Sequence, residues 1–477
     1  MEILQYGGAK GRVNTKDGIP AMERKTDLTR GAITDKLLMV AVPIMGTQLM
    51  QMTYNLVDMY WLGHTQDATT ALAASGMGGM FMWLSMALMM FGRMGAEIGV
   101  SQNLGRGDMD QAERYARSAI VISAMLGVIF GGTLLIFARP FITMMGLQEP
   151  KAYEAAVVYL RIAALGIPMT YVTAAVTGVF NGAGNSKLSF LCNAVGLVIN
   201  MILDPIMINW FGWGVAGAAL ATIIGQGSVC ALFLISIKRH KKRPLPNFRF
   251  RGKIGREISG QIIKWAWPIS LESGLFTLLA MVVTRMVAEH SLEAVTVQRI
   301  GSQIESLSWL IGGGFGSAVT AFIGQNFGAR QFGRIRSGFR ISLTWLLIWQ
   351  SLVTAVLFFF GGPLFSVFIN DGTVQSMGAV YLKILSVCVV FGAFEGACSG
   401  AFRGMGQTLP PSVSSIASNL LRPVLCYFLA QRMGLNGLWW GISLSATLRG
   451  LWIGIWYALS ARRTVAQFAK NEGGAVT

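Results

Sequence analysis

Two polar residues in one apolar stretch carry the strongest chemical signal in the sequence. Asp204 and Asn200 lie four positions apart, so on a helix the carboxylate and the carboxamide share one face. Pro205 follows directly and has no amide hydrogen, so we expect it to leave the carbonyl of Met201 without its helical partner. Three kinds of oxygen are thereby expected at one place, which predicts a site for a proton or a small hard cation.

Asp58 is the second candidate for the same chemistry. It follows Asn55 in another apolar stretch and stands shortly before the loop at His64. The sequence leaves two interpretations open: an ion-binding carboxylate inside the membrane, or a span-end aspartate that faces the lipid headgroups. Burial disfavours the charged form of a carboxylate, so in the first case Asp58 can load and release a proton in each cycle.

Glu272 and Glu395 lie in two later apolar stretches. A charged group at membrane depth costs free energy and therefore marks either a functional site or a structural ion pair. The two glutamates are candidates for contact with a substrate or with a second cation. The alternative is a buried pairing with Arg285 or Arg299.

Arg93 and Glu97 lie four positions apart near the end of the second apolar stretch. Opposite charges at this spacing are neighbours on a helix and stabilise it. The sequence therefore predicts an internal salt bridge at this place and not a functional site.

Helices in a lipid bilayer must position these residues. Of 477 residues, 53% are hydrophobic and only 13% are charged, and the mean hydropathy is +0.54. A bilayer core of about 30 Å needs about 20 apolar residues per helix. An all-α membrane protein with twelve transmembrane helices is expected, with spans near 37–62, 71–99, 115–138, 156–180, 188–210, 214–238, 260–288, 295–324, 338–362, 377–401, 412–431 and 437–460.

The second half of the chain repeats the first. The residues at 41–44, 102–105 and 178–184 recur at 266–269, 325–328 and 400–406, which lie about 222 to 225 positions later. With six spans in each half, both repeats share one orientation, and a pseudo-twofold axis along the membrane normal is expected. The predicted domains are an N-terminal segment, an N-lobe, a linker, a C-lobe and a tail, at 1–36, 37–238, 239–258, 259–460 and 461–477.

Basic residues follow the rule for membrane orientation. They cluster before the first span, in the linker and after the eighth span, which are on one side of the membrane if every stretch crosses once. Both termini are therefore expected in the cytoplasm, in a multi-pass protein of the inner (plasma) membrane. The first thirty residues are hydrophilic, so no cleavable signal peptide is expected. This placement explains the net charge of +17 without a nucleic-acid partner.

Catalytic and cofactor motifs are missing from the sequence. The three histidines, His64, His240 and His290, fall in predicted loops, and no H-E-x-x-H, G-x-S-x-G or phosphate loop occurs. The five cysteines have no metal-ligand spacing and are interpreted as small packing residues. We expect no enzyme, no cofactor and no metal site beyond possible Na⁺ binding.

In this order, the landmarks resemble those of the multidrug and toxic compound extrusion (MATE) family over nearly all of the chain. The features that carry the resemblance are the Pro43 span ending in Val57-Asp58, Gln102 to Gly105, Asn181 to Gly184, Asn200 to Pro205, Gly214 to Ala219, Ile304 to Ser308, Gly324 to Ala329 and Gly400 to Gly404. The resemblance implies a V of two six-helix lobes that opens alternately outward and inward. It also implies exchange of an exported compound for Na⁺ or H⁺.

The resemblance also implies roles for individual residues. In the bacterial branch that the chain resembles most, the coupling ion is held in the N-terminal lobe, at positions matched here by Asp58, Asn200, Asp204 and Thr222. Without the resemblance, Thr222 would be interpreted as a hydroxyl bonded to its own helix. Another bacterial branch uses acidic residues of spans seven and ten. Glu272 and Glu395 lie in those spans, about one helical turn from the positions implied, whereas Glu305 fits the family pattern in a structural role.

The expected function is export of organic cations by alternating access in exchange for H⁺ or Na⁺, with the choice of ion left open. The partners are small-molecule xenobiotics or metabolites and the lipid bilayer, and a monomer is expected. A flippase for lipid-linked saccharides or other amphipathic lipids is the alternative. Such a protein would need a strongly cationic central cavity, whereas the candidates inside the spans are mainly acidic.

Overall fold

The computed structural model describes residues 26–65, 67–145, 149–239, 245, 248, 252, 255–369 and 371–473. These residues contain helices and no strand. The first half holds α1 (Ile33–Gly63), α2 (Ala68–Arg106), α3 (Met109–Ile136), α4 (Ala138–Met144), α5 (Pro150–Gly182), α6 (Ser186–Pro205), a π-helical turn (Ile206–Trp210) and α7 (Gly214–Arg239). The second half holds α8 (Arg256–Ala288), α9 (Leu292–Gly328), α10 (Phe332–Ser366), α11 (Gly372–Val389), α12 (Gly392–Gly404), α13 (Leu409–Met433) and α14 (Leu435–Gly473).

Twelve of these helices are long and apolar enough to cross a membrane. The prediction of twelve spans in an all-α fold is thus confirmed, with one difference in the tenth. The predicted span 377–401 is interrupted between α11 and α12, where Val390 and Phe391 form a turn. Gly450 of α14 lies against the carbonyl of Phe391. A β-carbon added to Gly450 would lie only 2.5 Å from that carbonyl oxygen. A larger residue at 450 would not leave room for this turn.

The N-lobe is built around α5, which packs against α2, α3 and α7. Glycines allow the backbones to come close: Gly127 of α3 faces Pro168, and Gly131 faces the carbonyl of Ala164. In the C-lobe, α9 is the most enclosed span and packs against α10, α11 and α12. Each lobe therefore has one helix, α5 or α9, that packs against three other long helices or helical segments of the same lobe.

The two lobes meet where α2 packs on α8 and α9 and where α1 packs on α9. The residues of the repeated motif lie at the contact of α2 with α9. The carboxamide of Gln102 donates to the carbonyl of Gly404 at 2.9 Å, and that of Gln325 donates to the carbonyl of Gly182 at 2.9 Å. Gly105 lies against the Gln325 carbonyl, and Gly328 lies against the Gln102 carbonyl. Equivalent residues of the two repeats thus make equivalent contacts, as a pseudo-twofold axis requires.

These contacts lie at the linker end, which we define as the end where α7 stops and α8 begins. The segment before α1 also binds there, because Gln325 accepts from the backbone amide of Leu28 at 3.0 Å, and Asn326 donates to its carbonyl at 3.2 Å. Arg334 donates to the carbonyl of Gly31 at 2.9 Å. The described part of the predicted N-terminal segment, residues 26–36, therefore contacts both lobes, at Gly184 and at Gln325, before it enters α1.

Several sequence predictions fall outside the described residues. These concern the basic residues before Thr26, those at 240–244, 249–251 and 253, and His240. The linker boundaries at 239 and 258 and the orientation in the membrane therefore stay predictions.

Candidate functional site

A close crossing of α6 and α7 shapes the candidate site in the N-lobe. Gly225 lies against the carbonyl of Gly196 and against the side chain of Asn200. A β-carbon added to Gly225 would lie 2.9 Å from the Gly196 oxygen and 3.0 Å from Asn200 Cβ. Because neither glycine has a side chain, the two helices approach closely enough for Asn200 to reach Thr222. The local sequence of α7 thus decides that polar groups of the two helices meet.

Three of the four predicted ion-site residues are in contact. The Asn200 amide lies 3.4 Å from Asp204 Oδ1 and 3.5 Å from Thr222 Oγ1. Thr222 Oγ1 also donates to the carbonyl of Ala218 at 3.0 Å. Both interpretations of Thr222 are therefore compatible with the structure: its hydroxyl bonds to its own helix and also faces the carboxamide of Asn200 on α6.

Asp58 joins this group from α1. Its Oδ1 is buried and has no hydrogen-bond partner, and its charge lies within electrostatic range of Asp204. The carboxylate therefore points into the lobe, and the interpretation as a headgroup-facing aspartate is not supported. The two aspartates belong to the half of the N-lobe farther from the linker end, because each lies near the end of a helix that starts at the linker end.

Unpartnered oxygens are the common feature of the site. Asp204 is 0% exposed, and its Oδ2 and the Oδ1 of Asn200 have no hydrogen-bond partner. Among the described residues, no Lys, Arg or His nitrogen lies within 4.0 Å of Asp58 or Asp204. Buried acceptors without a donor or a counter-ion cost free energy, so this arrangement favours uptake of a proton or of a cation that binds oxygen.

Two tyrosines of the site were missed by the sequence analysis. The hydroxyl of Tyr54 lies 3.1 Å from Thr222 Oγ1, and Tyr159 of α5 lies within electrostatic range of both aspartates. Tyr54 precedes Asp58 by one helical turn, and this spacing was a usable signal. Tyr159 gave none, because its ring reaches the site only by packing across Gly78 of α2.

A small cavity of about 20 Å³ lies beside the site, between α1, α6 and α7. Asn200 and Thr222 line it together with Gln51, Tyr54, Asn193 and Gln226. Its volume is close to that of one or two water-sized spheres, and its wall is polar. This cavity can therefore hold a small ion or water, but not an organic compound.

The helix distortion near Pro205 takes a form that the sequence did not predict. Residues 206–210 form a π-helical turn, in which the amide of Phe211 donates to the carbonyl of Ile206 at 2.9 Å. Gly217 of α7 packs against the carbonyl of Met207. A β-carbon added to Gly217 would lie 2.5 Å from that carbonyl oxygen. Such turns are frequent at functional sites. The expected free carbonyl of Met201 stays a prediction.

The predicted partners of Glu272 and Glu395 were wrong. Glu272 Oε2 lies 3.7 Å from Arg403 Nη2 and accepts from Ser412 Oγ at 2.9 Å. Glu395 Oε2 lies 2.8 Å from Arg449 Nη2. Arg285 instead faces Glu289 on its own exposed helix surface, at 3.8 Å, and Arg299 is exposed. A charge buried in the lobe pairs with a base from another helix, which sequence spacing does not reveal.

The predicted salt bridge between Arg93 and Glu97 was also wrong, because their charged atoms lie more than 4.0 Å apart. Glu97 is 0% exposed and lies within electrostatic range of Arg93 and of Arg403 in the C-lobe. Gly178 and Gly182 of α5 pack tightly against the backbone at these two positions. Glu97 therefore belongs to the interface between the lobes.

Among the described residues, no group of three or more His, Cys, Asp or Glu side chains could hold a metal ion. The oxygens around Asp204 come from two carboxylates, a carboxamide and hydroxyls. This donor set fits a proton or Na⁺ and lacks the nitrogen and sulphur ligands that transition metals prefer.

Comparison with known proteins gives one consistent result. The MatE family matches twice, at residues 43–206 and 268–428, once in each lobe. A relative from Thermotoga maritima, named probable multidrug resistance protein NorM, is 25% identical over 423 residues, which cover 86% of this chain and 89% of the relative. A relative from Shewanella oneidensis, named FAD transporter, is 24% identical over 461 residues, covering 86% and 97%.

The fold is shared with solved structures. A crystal structure of MATE in complex with MaD3S matches with a TM-score of 0.85 at 23% identity, covering 92% of this chain and 98% of that one. Together with the doubled family match, this agrees with a two-lobed membrane transporter that is not an enzyme. The chain belongs to the MATE family of multidrug efflux transporters.

Proposed function

We propose that the protein exports small organic compounds in exchange for H⁺ or Na⁺, and that Asp58, Asn200, Asp204 and Thr222 bind the coupling ion. The observation that carries this proposal is the pair of neighbouring carboxylates with no basic partner among the described residues. Two such carboxylates cannot both stay charged in a poorly solvated lobe without a cation. Uptake and release of that cation supply the energy for export.

The arrangement of the lobes supports alternating access. The hydrogen bonds between the lobes join them at the linker end, whereas the ion site lies in the other half of the N-lobe. A rocking motion about these contacts would open the molecule on alternate sides of the membrane. In this proposal the linker end is cytoplasmic, in the inner (plasma) membrane, as the distribution of basic residues indicates.

Substrates are proposed from the relatives and from the charge of the protein interior. Curated relatives carry names of multidrug resistance proteins and, in one case, of an FAD transporter. Organic cations fit the unpaired carboxylates of Asp58 and Asp204 inside the N-lobe. A lipid-linked saccharide flippase is not favoured, because Arg403, Arg422 and Arg449 inside the C-lobe are accompanied by glutamates. Among the described residues, these arginines therefore form no strongly cationic surface.

The test is uptake of the dye cation ethidium into inverted membrane vesicles, with a pH gradient and a Na⁺ gradient imposed separately. We expect one of the two gradients to drive uptake by the unchanged protein, which identifies the ion. Asp204→Asn should reduce this uptake to the level of empty vesicles. The matched control is Asp67→Asn, which changes an exposed aspartate of the same lobe without a side-chain cap bond. Full uptake by Asp204→Asn would refute the site.

A further inference from the structure

The C-lobe contains a site that matches the ion site of the N-lobe, and the repeat in the chain locates it. Motifs of the two repeats lie about 222 to 225 positions apart, and the two family matches, 43–206 and 268–428, keep the same offsets. At these offsets Asp58, Tyr159, Asn200, Asp204 and Thr222 correspond to Val283, Tyr381, Arg422, Cys426 and Ser445, which we call the matching site. Only the tyrosine is identical, so the chemistry of the matching site must differ.

A polar contact between two helices recurs in the matching site. In the N-lobe, α6 and α7 meet where the Asn200 amide faces Thr222 Oγ1 at 3.5 Å. In the C-lobe, α13 and α14 meet where Nε of Arg422 donates to Ser445 Oγ at 2.9 Å. The guanidinium of Arg422 therefore lies at the place that the carboxamide of Asn200 has in the other lobe.

The packing of the tyrosine ring recurs as well. Tyr159 packs across Gly78 of α2, and Tyr381 packs in the same way across Gly301 of α9. Tyr159 lies within electrostatic range of the aspartates of the ion site, whereas Tyr381, which is buried, lies within range of Arg422. The tyrosine thus faces a pair of acids in one lobe and a base in the other.

The two carboxylates of the ion site have no equivalent in the matching site. Val283 and Cys426 stand at the positions of Asp58 and Asp204, and both are buried. The thiol of Cys426 donates to the carbonyl of Leu438 at 3.3 Å. An alkyl group and a neutral thiol offer no oxygen to a hard cation such as Na⁺, and neither group carries a charge that would attract it.

A carboxylate from another helix accompanies Arg422. Glu305 of α9 lies within electrostatic range of its guanidinium, and the N-lobe residue at the equivalent position is Met82. The nearby Glu395 is paired with Arg449 at 2.8 Å, which leaves Glu305 to Arg422. A carboxylate inside a lobe needs a cation beside it, and a guanidinium stays protonated and can supply that charge permanently.

We propose that Arg422 is a built-in cation, which fills the matching site, neutralises Glu305 and makes the uptake of a coupling ion in the C-lobe unnecessary. The protein then exchanges coupling ions through the N-lobe alone, and the matching site stays neutral throughout the transport cycle. This inference rests on the proposed ion site of the N-lobe, because it states that this site has no second copy.

The test empties the matching site and offers it a free cation. Arg422→Ala removes the guanidinium and leaves room for a guanidinium ion from solution. Melting of the purified full-length protein in detergent is followed with about 20 mM guanidinium chloride or the same concentration of tetramethylammonium chloride. We expect guanidinium to raise the melting temperature of Arg422→Ala by about 2 °C or more. Tetramethylammonium has no hydrogen-bond donor and should not raise it, and the unchanged protein should respond to neither cation.

Two further variants locate the effect. The matched control is Arg139→Ala, which removes an exposed arginine that pairs with Glu154 at 3.0 Å in the N-lobe. Guanidinium should not stabilise this variant, because solvent already surrounds the pair. Adding Glu305→Gln to Arg422→Ala should abolish the stabilisation by guanidinium, since the free cation then lacks its counter-charge.

Two results would overturn the proposal: no stabilisation of Arg422→Ala by guanidinium, or equal stabilisation of Arg422→Ala and Arg139→Ala. If Arg422→Ala does not fold, two other variants decide. Arg422→Lys keeps the positive charge and should melt at a higher temperature than Arg422→Met, which keeps only the length of the side chain. Equal melting temperatures of these two variants would also overturn the proposal.

The melting experiment uses no ion gradient, so its outcome is independent of the dye-uptake experiment. Stabilisation of Arg422→Ala by guanidinium, together with no gradient-driven uptake by the unchanged protein, would support the built-in cation and contradict the proposed exchange. The stabilisation should persist when Asp204→Asn is added, because the two sites lie in different lobes. Gradient-driven uptake that survives in Asp204→Asn would reveal a second ion site and contradict both proposals.

Discussion

The two lobes share a packing pattern but differ in how they hold buried charge. In the N-lobe, Asp58 and Asp204 lie together without a base among the described residues. In the C-lobe, Glu272 and Glu395 lie beside Arg403 and Arg449. Duplication therefore kept the contacts that join the lobes while the charged interiors diverged. An unpaired carboxylate can exchange a cation, whereas an ion pair is already neutral and can only recognise or stabilise.

The largest expected effect is on gradient-driven uptake, which should depend on the charges of the N-lobe and not on those of the C-lobe. Asp58→Asn should abolish gradient-driven ethidium uptake, because one of the two carboxylates that take up the cation is lost. The C-lobe counterpart, Glu395→Gln with Arg449→Gln, should keep a clear response to the gradient. Uptake in inverted vesicles with and without the gradient measures both. A gradient response that survives in Asp58→Asn would contradict the division of roles between the lobes.

Stability should change in opposite directions when a single charge is removed from each lobe. Arg449→Ala leaves Glu395 buried without its partner and should lower the free energy of unfolding by about 3 kcal/mol. Asp204→Asn removes an unpaired buried carboxylate and should raise that free energy by about 1 kcal/mol. Denaturant unfolding of the purified protein measures both changes. For comparison, Arg139→Ala at the exposed pair should cost less than about 1 kcal/mol. If both variants changed the free energy of unfolding in the same direction, the proposed difference between the charges of the two lobes would be contradicted.

The symmetric contact between the lobes should respond symmetrically. Gly105→Ala and Gly328→Ala each place a methyl group against a carbonyl of the other lobe, at Gln325 and Gln102. Each substitution should lower stability by about 1 to 3 kcal/mol, because overpacked helices must move apart. The change in melting temperature of each variant is the measurement. The control is Gly132→Ala, because Gly132 has open space around it. Gly107→Ala is unsuitable as a control, because Gly107 has φ +78°, at which any side chain strains the backbone. A large effect at only one of the two positions would break the pseudo-twofold relation.

The smallest expected effect concerns the hydroxyl of the ion site. Thr222→Val removes a partner of Asn200 and of Tyr54 but leaves both carboxylates in place. Ion affinity should fall by about three- to tenfold, which corresponds to the loss of one net hydrogen bond. The ion concentration that gives half-maximal dye uptake reports this change. Unchanged affinity would restrict Thr222 to the bond with its own helix at Ala218.

Part of this picture was predictable from the chain. The twelve spans follow from runs of apolar residues, and the two lobes follow from motifs that return after about 222 to 225 positions. Asn200 and Asp204 could be placed together because four positions on a helix define one face. Asp58 was a separate candidate, as a carboxylate in another apolar stretch. The resemblance to a known family then added Thr222 and implied that both residues belong to one site with Asp204.

Contacts between different helices could not be predicted in the same way. Glu272 finds Arg403 and Glu395 finds Arg449, although Arg285 and Arg299 are nearer in the sequence to Glu272. Glu97 lies at the interface of the lobes instead of bridging to Arg93. Which face of a helix meets which neighbour depends on close approaches such as that of Gly196 and Gly225, and these are properties of the packed molecule.

The sequence by itself determined a helical membrane protein of two repeated lobes with acidic groups at membrane depth, because apolar length, repeat spacing and helical periodicity are all local properties of the chain. The tertiary structure decided that the aspartates of the N-lobe stay unpaired, that Tyr159 joins them, and that the glutamates of the C-lobe are neutralised by arginines. These outcomes depend on how helices rotate and cross, and that is settled only when the side chains of all of them compete for the same space.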